Sequence, residues 1–330
     1  MNHSTFPRSA RRTFALMAAA IVTSLSLPAL AWTGKPVRMI VPAPAGGTMD
    51  VVARVVADQL SADLGQPVIV DNKPGAGGAI AVQAMRAAPA DGQTIMVTAS
   101  NVLTEIPHVM KTGFDPLKDV QPVATIVRAV PVLVSAAGTP AADLKELIAY
   151  IKARPGQLSF ASYSAGTSSH YAGMILNQKA GLDLQHVPFP GSPPALTQLL
   201  GGQPLIMFDG IATSLPLING GKLKVYGVAN KQRSTHLPNV PTLAEQGYPD
   251  VDFSNWVGVI VASGVPAPVV DKMNAALLNV ARSAKVKERL VSVGFEPTDN
   301  RTAAQMAQAL KQEFERNAGI VKAFNIQLNQ

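Results

Sequence analysis

The chain has 330 residues, 47% apolar and 15% charged, a balance that supports a buried core and excludes wholesale disorder. At roughly 150 residues per domain, the length points to two domains. The 28 basic and 21 acidic residues give a net charge of +7, and the absence of cysteine excludes disulfides, thiolate nucleophiles, Cys-ligated metals and a lipid-modified N-terminal Cys.

Residues 1–31 contain Arg8, Arg11 and Arg12, no carboxylate, an apolar run over 14–22 and the closing triplet Ala29-Leu30-Ala31. A basic start, a short apolar stretch and a small-x-small site make a secretory signal peptide, cleaved after Ala31. The run is too short for a membrane span of ~20 residues. Arg11-Arg12 leaves both the Sec and the twin-arginine export routes open. Cleavage removes three arginines and lowers the charge from +7 to +4. No basic run remains, so nucleic acid is not an expected partner. With no Cys to carry an acyl chain, the mature protein is expected free in the periplasm, and as a monomer.

From Trp32 onward, short β-branched runs alternate with alanine-rich segments. Val37 to Val41 reads as a buried strand, 49–64 as a helix, 68–70 as a strand, 79–88 as a helix and 94–98 as a strand. This βαβαβ rhythm predicts a parallel sheet with helices on its faces. The β-like run over 123–135 is too long for one ordinary strand. Beyond it the rhythm restarts, with helix 141–153, strand 158–161, helix 169–180, strand 186–189 and helix 194–200. Strands 205–208 and 224–228 follow. A second apolar run, 256–262, precedes helices over 269–282, 286–293 and 302–317.

Two such blocks, separated by two long extended runs, predict an α/β protein of two lobes joined by two crossings. Each lobe is a mainly parallel sheet flanked by helices. Residues 32–132 plus 257–330 form one lobe and 133–256 the other, with the C-terminal helices returning to the first. A single large sheet without a hinge is the alternative. In such sheets ligands sit at the carboxyl ends of the strands, and a cleft between lobes can close by hinge motion.

Four loops could carry chemistry. Pro42 to Asp50 follows the first strand and opens the first helix, and its Ala45, Gly46, Gly47 and Thr48 can turn backbone N–H groups toward an anion. A tight strand-to-helix turn fits it equally well. Gly75-Ala76-Gly77-Gly78-Ala79-Ile80 falls short of a dinucleotide fingerprint, because Ile80 stands where the third glycine belongs; no cofactor is expected. Ser162 to His170 nearly forms a nucleophile elbow around Ser164, but Ser162 replaces its first glycine. A triad would need Asp209 and His236, which no spacing marks. The preferred reading is a hydroxyl-rich helix N-terminus in which Ser164, Thr167 and Ser168 bind a carboxylate, with His170 packed. Asp209, at the end of a strand, could face the cleft or cap the following helix. The histidines at 3, 108, 170, 186 and 236 have no ligand spacing, so no metal is expected.

Together these loops resemble the tripartite tricarboxylate transporter substrate-binding family, also called the Bordetella uptake gene (Bug) family. The resemblance rests on Pro44-Ala45-Gly46-Gly47-Thr48-Met49-Asp50, Gly65 to Gly78, Asp91-Gly92-Gln93-Thr94, Asp115 to Asp119, Tyr163 to His170, His186-Val187-Pro188-Phe189, Leu200 to Gln203 and Leu237 to Thr242. It implies a periplasmic receptor of the type II binding-protein fold that passes a small carboxylate to membrane transporter subunits, and it implies no enzyme activity. The implied ligand contacts are Ala45, Gly46, Gly47, Thr48, Ser100 and Asn101 from one lobe. Ser164, Gly166, Thr167, Ser168 and Asp209 come from the other. Two departures from the family pattern are Glu105-Ile106-Pro107, where Asn-Pro is common, and Ala43, where Phe is frequent. Glu105 facing the cleft would repel a second carboxylate, and Ala43 would leave room at the rim. A secreted serine hydrolase using Ser164, and a ligand sensor in signalling, are the alternatives.

Overall fold

The computed structural model describes residues 35–298 and 301–327. The signal peptide and its cleavage site lie outside the described residues.

The first block follows the expected rhythm: β1 Val37–Val41, α1 Thr48–Leu64, β2 Val68–Asn72, α2 Ala79–Arg86 and β3 Thr94–Ala99. In α1, Val52, Val56 and Leu60 recur at helical spacing and are buried. Gly65, at φ 65°, ends the helix in the left-handed region that glycine enters without a Cβ penalty. A four-residue helix, α3 Asn101–Thr104, follows β3.

The long run over 123–135 is two strands, β4 Val120–Ala129 and β5 Pro131–Ala136, broken at Val130 and belonging to different sheets. The second block comprises α4 Leu144–Lys152, β6 Leu158–Ser162, α5 Ser168–Lys179, β7 Leu184–Pro188, α6 Ser192–Leu200, β8 Ile206–Gly210, α7 Ile211–Asn219 and β9 Leu223–Val228. The chain then returns through β10 Asn255–Ala262 to α8 Ala267–Arg282, α9 Ala284–Ser292 and α10 Ala303–Ala323.

The two five-stranded sheets have matching orders, β2-β1-β3-β10-β4 and β7-β6-β8-β5-β9. In each, four strands run one way and one runs against them: β10 is antiparallel to β3 and β4, and β5 to β8 and β9. The reversed strands are the ones that cross between sheets. A parallel neighbour needs a helical crossover, whereas a strand arriving straight from the other sheet has none and pairs antiparallel. The sheets are therefore mixed, for a reason that local sequence does not display.

Helices cover both faces of both sheets. Leu60 of α1, Leu277 of α8 and Leu290 of α9 pack on one face of the first sheet, and Val82 of α2 and Leu310 of α10 on the other. In the second sheet, Leu147, Phe160 and Tyr171 fill one face and Leu199 and Met207 the other. The C-terminal helices depart from expectation in one respect. Met306 and Leu310 of α10 pack with the first sheet, but Ile320, Val321, Phe324 and Ile326 pack in the second sheet's core. At ~1.5 Å per residue, a 21-residue helix is long enough to reach both.

Candidate ligand-binding site

A cavity of about 340 Å³ is lined by the loops that follow β1, β2 and β3 in the first sheet and β6, β7 and β8 in the second. Ala129, Val130, Pro131 and Asn255, where the chain crosses between sheets, complete it. Carboxyl ends of strands from both lobes thus face one cleft, as doubly wound sheets dictate. The wall is mostly apolar, and no Lys, Arg or His lines it.

Of the residues expected here, Gly47, Thr48, Asn101, Ser164 and Thr167 line the cavity. Ala45, Gly46, Ser100, Gly166, Ser168 and Asp209 lie outside the lining. Ser100, Ser168 and Asp209 are buried with hydrogen bonds of their own. Gly46 N–H donates to Asp50 Oδ2 at 2.8 Å, which holds the β1–α1 loop against α1. Burial pushes the Asp50 carboxyl up, but bonds from Arg54, Gly46 and Asn72 outweigh it and keep the group below the usual carboxylate range. Sequence reasoning missed Tyr163, Asn255 and the Pro190-Gly191-Ser192 turn as cavity residues. The Gly-Ser-Pro-Pro helix start after β7 is a signal that could have found the last of these.

The helices that start at this cleft, like α8 outside it, begin without a side-chain cap. Helices α4, α9 and α10 start with side-chain caps from Asp143, Ser283 and Thr302. Five helices that start at the cavity, α1, α2, α5, α6 and α7, have no side-chain cap bond at Gly47, Gly78, Thr167, Gly191 and Gly210. The first N–H groups of a helix lack intrahelical acceptors and carry the positive end of its dipole. Their convergence makes a cleft that suits an anion without a charged side chain.

Beneath the cavity a polar chain ties the lobes together. Asn101 Nδ2 donates to Tyr163 Oη at 3.4 Å, and Tyr163 Oη lies 2.9 Å from Ser168 Oγ. Asn255 Nδ2 donates to Ser168 Oγ at 2.6 Å, and Ser100 Oγ donates to Asn255 Oδ1 at 2.8 Å. Tyr171 Oη donates to the Glu105 carbonyl at 2.8 Å. The Glu105 side chain is 2% exposed and sits below the cavity wall, not in the cleft. Its carboxyl sits near Ser168 at the start of α5, and its Oε2 has no hydrogen-bond partner among the described residues. Burial pushes this carboxyl up to about 8, with Glu313 adding to the rise and Arg316 opposing it.

A carboxyl whose folded pKa lies above its unfolded value adds stability that is full below the unfolded value and is lost as pH rises through the folded one. Wild-type stability should therefore decline from about pH 4.5, where the unfolded carboxyl ionises, to about pH 8, where Glu105 ionises in the folded protein. Glu105→Gln, which keeps the side chain's shape and cannot ionise, should flatten that decline by roughly 1–2 kcal/mol. Urea denaturation of both proteins across this range checks it.

The Ser164 loop rests on two stacked histidines. His170 and His186 have ring centroids 3.9 Å apart, and Ser162 Oγ lies 2.7 Å from His186 Nε2. Gly166 N–H donates to His170 Nδ1 at 3.2 Å, so the neutral ring fixes the loop. Burial, with His186 contributing, lowers His170 to about 3, and burial lowers His186 to about 4. For groups depressed on folding, stability is present above the unfolded value near 6.5 and lost as pH falls through the folded values. Between pH 7 and 5 the receptor should lose about 2 kcal/mol per ring, and His186→Gln should remove part of that loss in the same denaturation series.

The Ser164 hydroxyl donates to the Ala165 carbonyl at 3.3 Å, Asp209 Oδ2 accepts from Thr213 and Ser214, and His236 Nε2 lies 3.1 Å from the Phe295 carbonyl. The three residues that a serine hydrolase would need are each engaged elsewhere.

The family model for the tripartite tricarboxylate transporter family receptor matches residues 52–326. The chain belongs to this family. Among curated relatives it is 33% identical to protein BugT of Bordetella pertussis over 296 residues, covering 88% of this chain and 90% of that one. Its fold is similar to that of the periplasmic binding protein BugD, at 31% identity and a TM-score of 0.84, covering 90% and 99% of the two chains. It is equally close to Rpa4515 of R. palustris, solved with adipate, at 29% identity and a TM-score of 0.85, covering 90% and 99%. MatC of Rhodopseudomonas palustris, solved with malate, matches at 31% identity and a TM-score of 0.82, covering 87% and 99%. The receptor is thus a two-lobed solute-binding protein of the kind that serves these transporters. Among its described residues, no helix is long and apolar enough to cross a membrane.

Proposed function

We propose that this receptor works in the periplasm, free of any anchor, capturing a small organic acid and presenting it to its membrane transporter subunits without chemically altering it. The observation that carries this reading is the interlobe cavity ringed by helix starts without side-chain caps and with no basic side chain in its wall. An anion placed against such N–H groups gains about 0.3–1 kcal/mol per helix terminus, and up to ~2 kcal/mol where water is partly excluded. The adipate and malate in the solved relatives are acids of the size such a cavity admits.

We place the lobes at 32–132 plus 257–330 and 133–256, with the end of α10 reaching across to the second lobe and bending at the two crossings. Support comes from β4 ending at Ala129 and β10 starting at Asn255, both beside the cavity. The ligand contacts are Ala45, Gly46, Gly47, Thr48, Ser100 and Asn101 on one side and Ser164, Gly166, Thr167, Ser168 and Asp209 on the other. Those outside the lining act by holding the ones within it.

A thermal-shift screen of the mature protein against aliphatic, aromatic and amino acids tests the reading. A binding acid raises the melting temperature in step with ln(1 + [L]/Kd). No stabilisation by any acid across the panel would overturn it.

A further inference from the structure

We infer that a second site, for a phosphate-type oxyanion, lies in the groove behind the two crossings, on the side away from the acid cleft. It is separate from the proposed acid capture and does not depend on it.

Its place follows from strand alternation, because successive side chains of an extended chain point to opposite faces. At the first crossing Ala129 lines the acid cavity, whereas Arg128 lines a groove of about 500 Å³. At the second, Asn255 lines the cavity, whereas Ser254 and Trp256 on either side of it line the groove. The two hollows therefore stand back to back across the same pair of segments. One wall of the groove comes from α10 and the segment before it, with Glu296, Arg301, Glu313 and Arg316. The other comes from the second lobe, with Asn230, Lys231 and Arg233 after β9 and Asp252 before β10.

The charged groups divide into those with partners and those without. Arg233 pairs with Glu245 at 3.0 Å, and Lys231 reaches Asp252 at 4.0 Å. Arg128, Arg301 and Arg316 remain, and among the described residues none of the three forms an ion pair. Arg128 Nη2 donates to Asn230 Oδ1 at 3.3 Å and to Ser254 Oγ at 3.4 Å, both neutral acceptors at long range. Arg316 Nε donates to Asn317 Oδ1 at 3.4 Å. A guanidinium carries five N–H donors, so these few long bonds leave most of the capacity unspent.

Glu296 and Glu313 share the groove, so three unpaired cations face two carboxylates there. Glu313 is engaged elsewhere, since its Oε2 accepts from Trp256 Nε1 at 3.0 Å. Arg128 is held in place by its backbone, whose N–H donates to the Glu296 carbonyl at 2.8 Å and whose carbonyl accepts from the Glu296 N–H at 3.0 Å. Cations gathered in one groove repel one another until an anion lies among them. Arginine forks match phosphate oxygens in pairs. A tetrahedral oxyanion presents separate oxygens to arginines arriving from β4 and from α10, which a flat carboxylate does less well.

Calorimetry of inorganic phosphate with the mature protein at low ionic strength tests the site, since salt screens such contacts. Co-sedimentation with phosphatidylglycerol vesicles, run beside it, distinguishes a free phosphate from a lipid headgroup. The wild type should bind phosphate saturably at one site, and Arg128→Gln and Arg316→Gln should each weaken binding tenfold or more. Arg289→Gln removes a surface arginine that pairs with Asp58 outside the groove and should leave binding unchanged. Arg316 is exposed on α10, so its variant decides the matter even if Arg128→Gln, at a half-buried position, does not fold. Vesicle binding lost in the groove variants, without binding of free phosphate, would uphold the site and assign it to a headgroup. Saturable binding of neither probe, binding that a folded groove variant retains, or binding weakened equally by Arg289→Gln overturns the inference and leaves acid capture standing.

Discussion

Gly191→Ala should weaken acid capture by about 100-fold, or ~2.7 kcal/mol, while both lobes remain folded. Gly191 caps α6 at φ 135° and ψ 169°, a region of backbone space that is essentially closed to residues with a Cβ. Any Cβ there would also lie 2.5 Å from Cγ and 2.8 Å from Cδ of Pro44. Pro44 belongs to the β1–α1 loop of the first lobe, so the collision falls across the cleft. Opening the lobes relieves it, and the free energy that ligand binding must then supply to close them is lost from affinity. Titration calorimetry with an acid that binds the wild type should show the weaker Kd, and circular dichroism should show native secondary structure. Wild-type affinity in this variant would mean that the lobes do not need to close this tightly on the ligand.

The largest loss of stability is expected for Gly258→Val, at about 4 kcal/mol or more. Gly258 lies in β10 between β3 and β4, and a Cβ there would run into the Ala124 carbonyl oxygen and lie 3.2 Å from Thr125 Cα. These are backbone atoms of a paired strand, so no rotamer change relieves the contact. The register of β10 against β4 shifts at this point, between Val257 and Gly258, which brings the two backbones close. Gly319→Ala provides the contrast. Gly319 lies in α10 with nothing within 4 Å of a Cβ, and removing a helix-interior glycine there should add up to ~1 kcal/mol. Guanidinium denaturation of the three proteins separates these outcomes, and a Gly258→Val protein as stable as wild type would refute the close approach.

Much of the fold was legible in the sequence because burial alternates locally. Val37 to Val41 and Leu223 to Val228 are short β-branched or aromatic runs, and both are strands. The helix over 49–64 ends at a glycine, as a helix stop should. The run over 123–135 was recognisably too long for one strand, but its break at Val130 depends on the strand's change of sheet. The full length of α10 was underestimated because residues beyond Asn317 pack on the second sheet, which local periodicity does not reveal.

The site was legible in part. Gly47, Thr48, Asn101, Ser164 and Thr167 stand at strand-to-helix junctions, where hydroxyls and glycines are conspicuous in sequence, and the structure brings them to one cavity. Asn255 and Tyr163 were not visible as cavity residues, since an Asn at the start of a strand and a Tyr in a loop are ordinary. Glu105 was noticed as a departure from the family pattern that would repel a second carboxylate if it faced the cleft. Tertiary packing turns it the other way, onto the N-terminus of α5.

By itself the sequence determined the α/β class, two repeated blocks, the absence of thiol chemistry and the loops that could receive an anion. These follow from composition, from periodicities of 2 and 3.6, and from glycine and hydroxyl placement, all of which act over a few residues. Only the tertiary structure decided which of those loops still have donors to give. The Val130 carbonyl takes the first N–H of α7, whereas the Thr48 and Met49 N–H groups at the start of α1 stay open beside the cavity. Val130 lies 81 positions before Ile211, so no local pattern encodes that pairing.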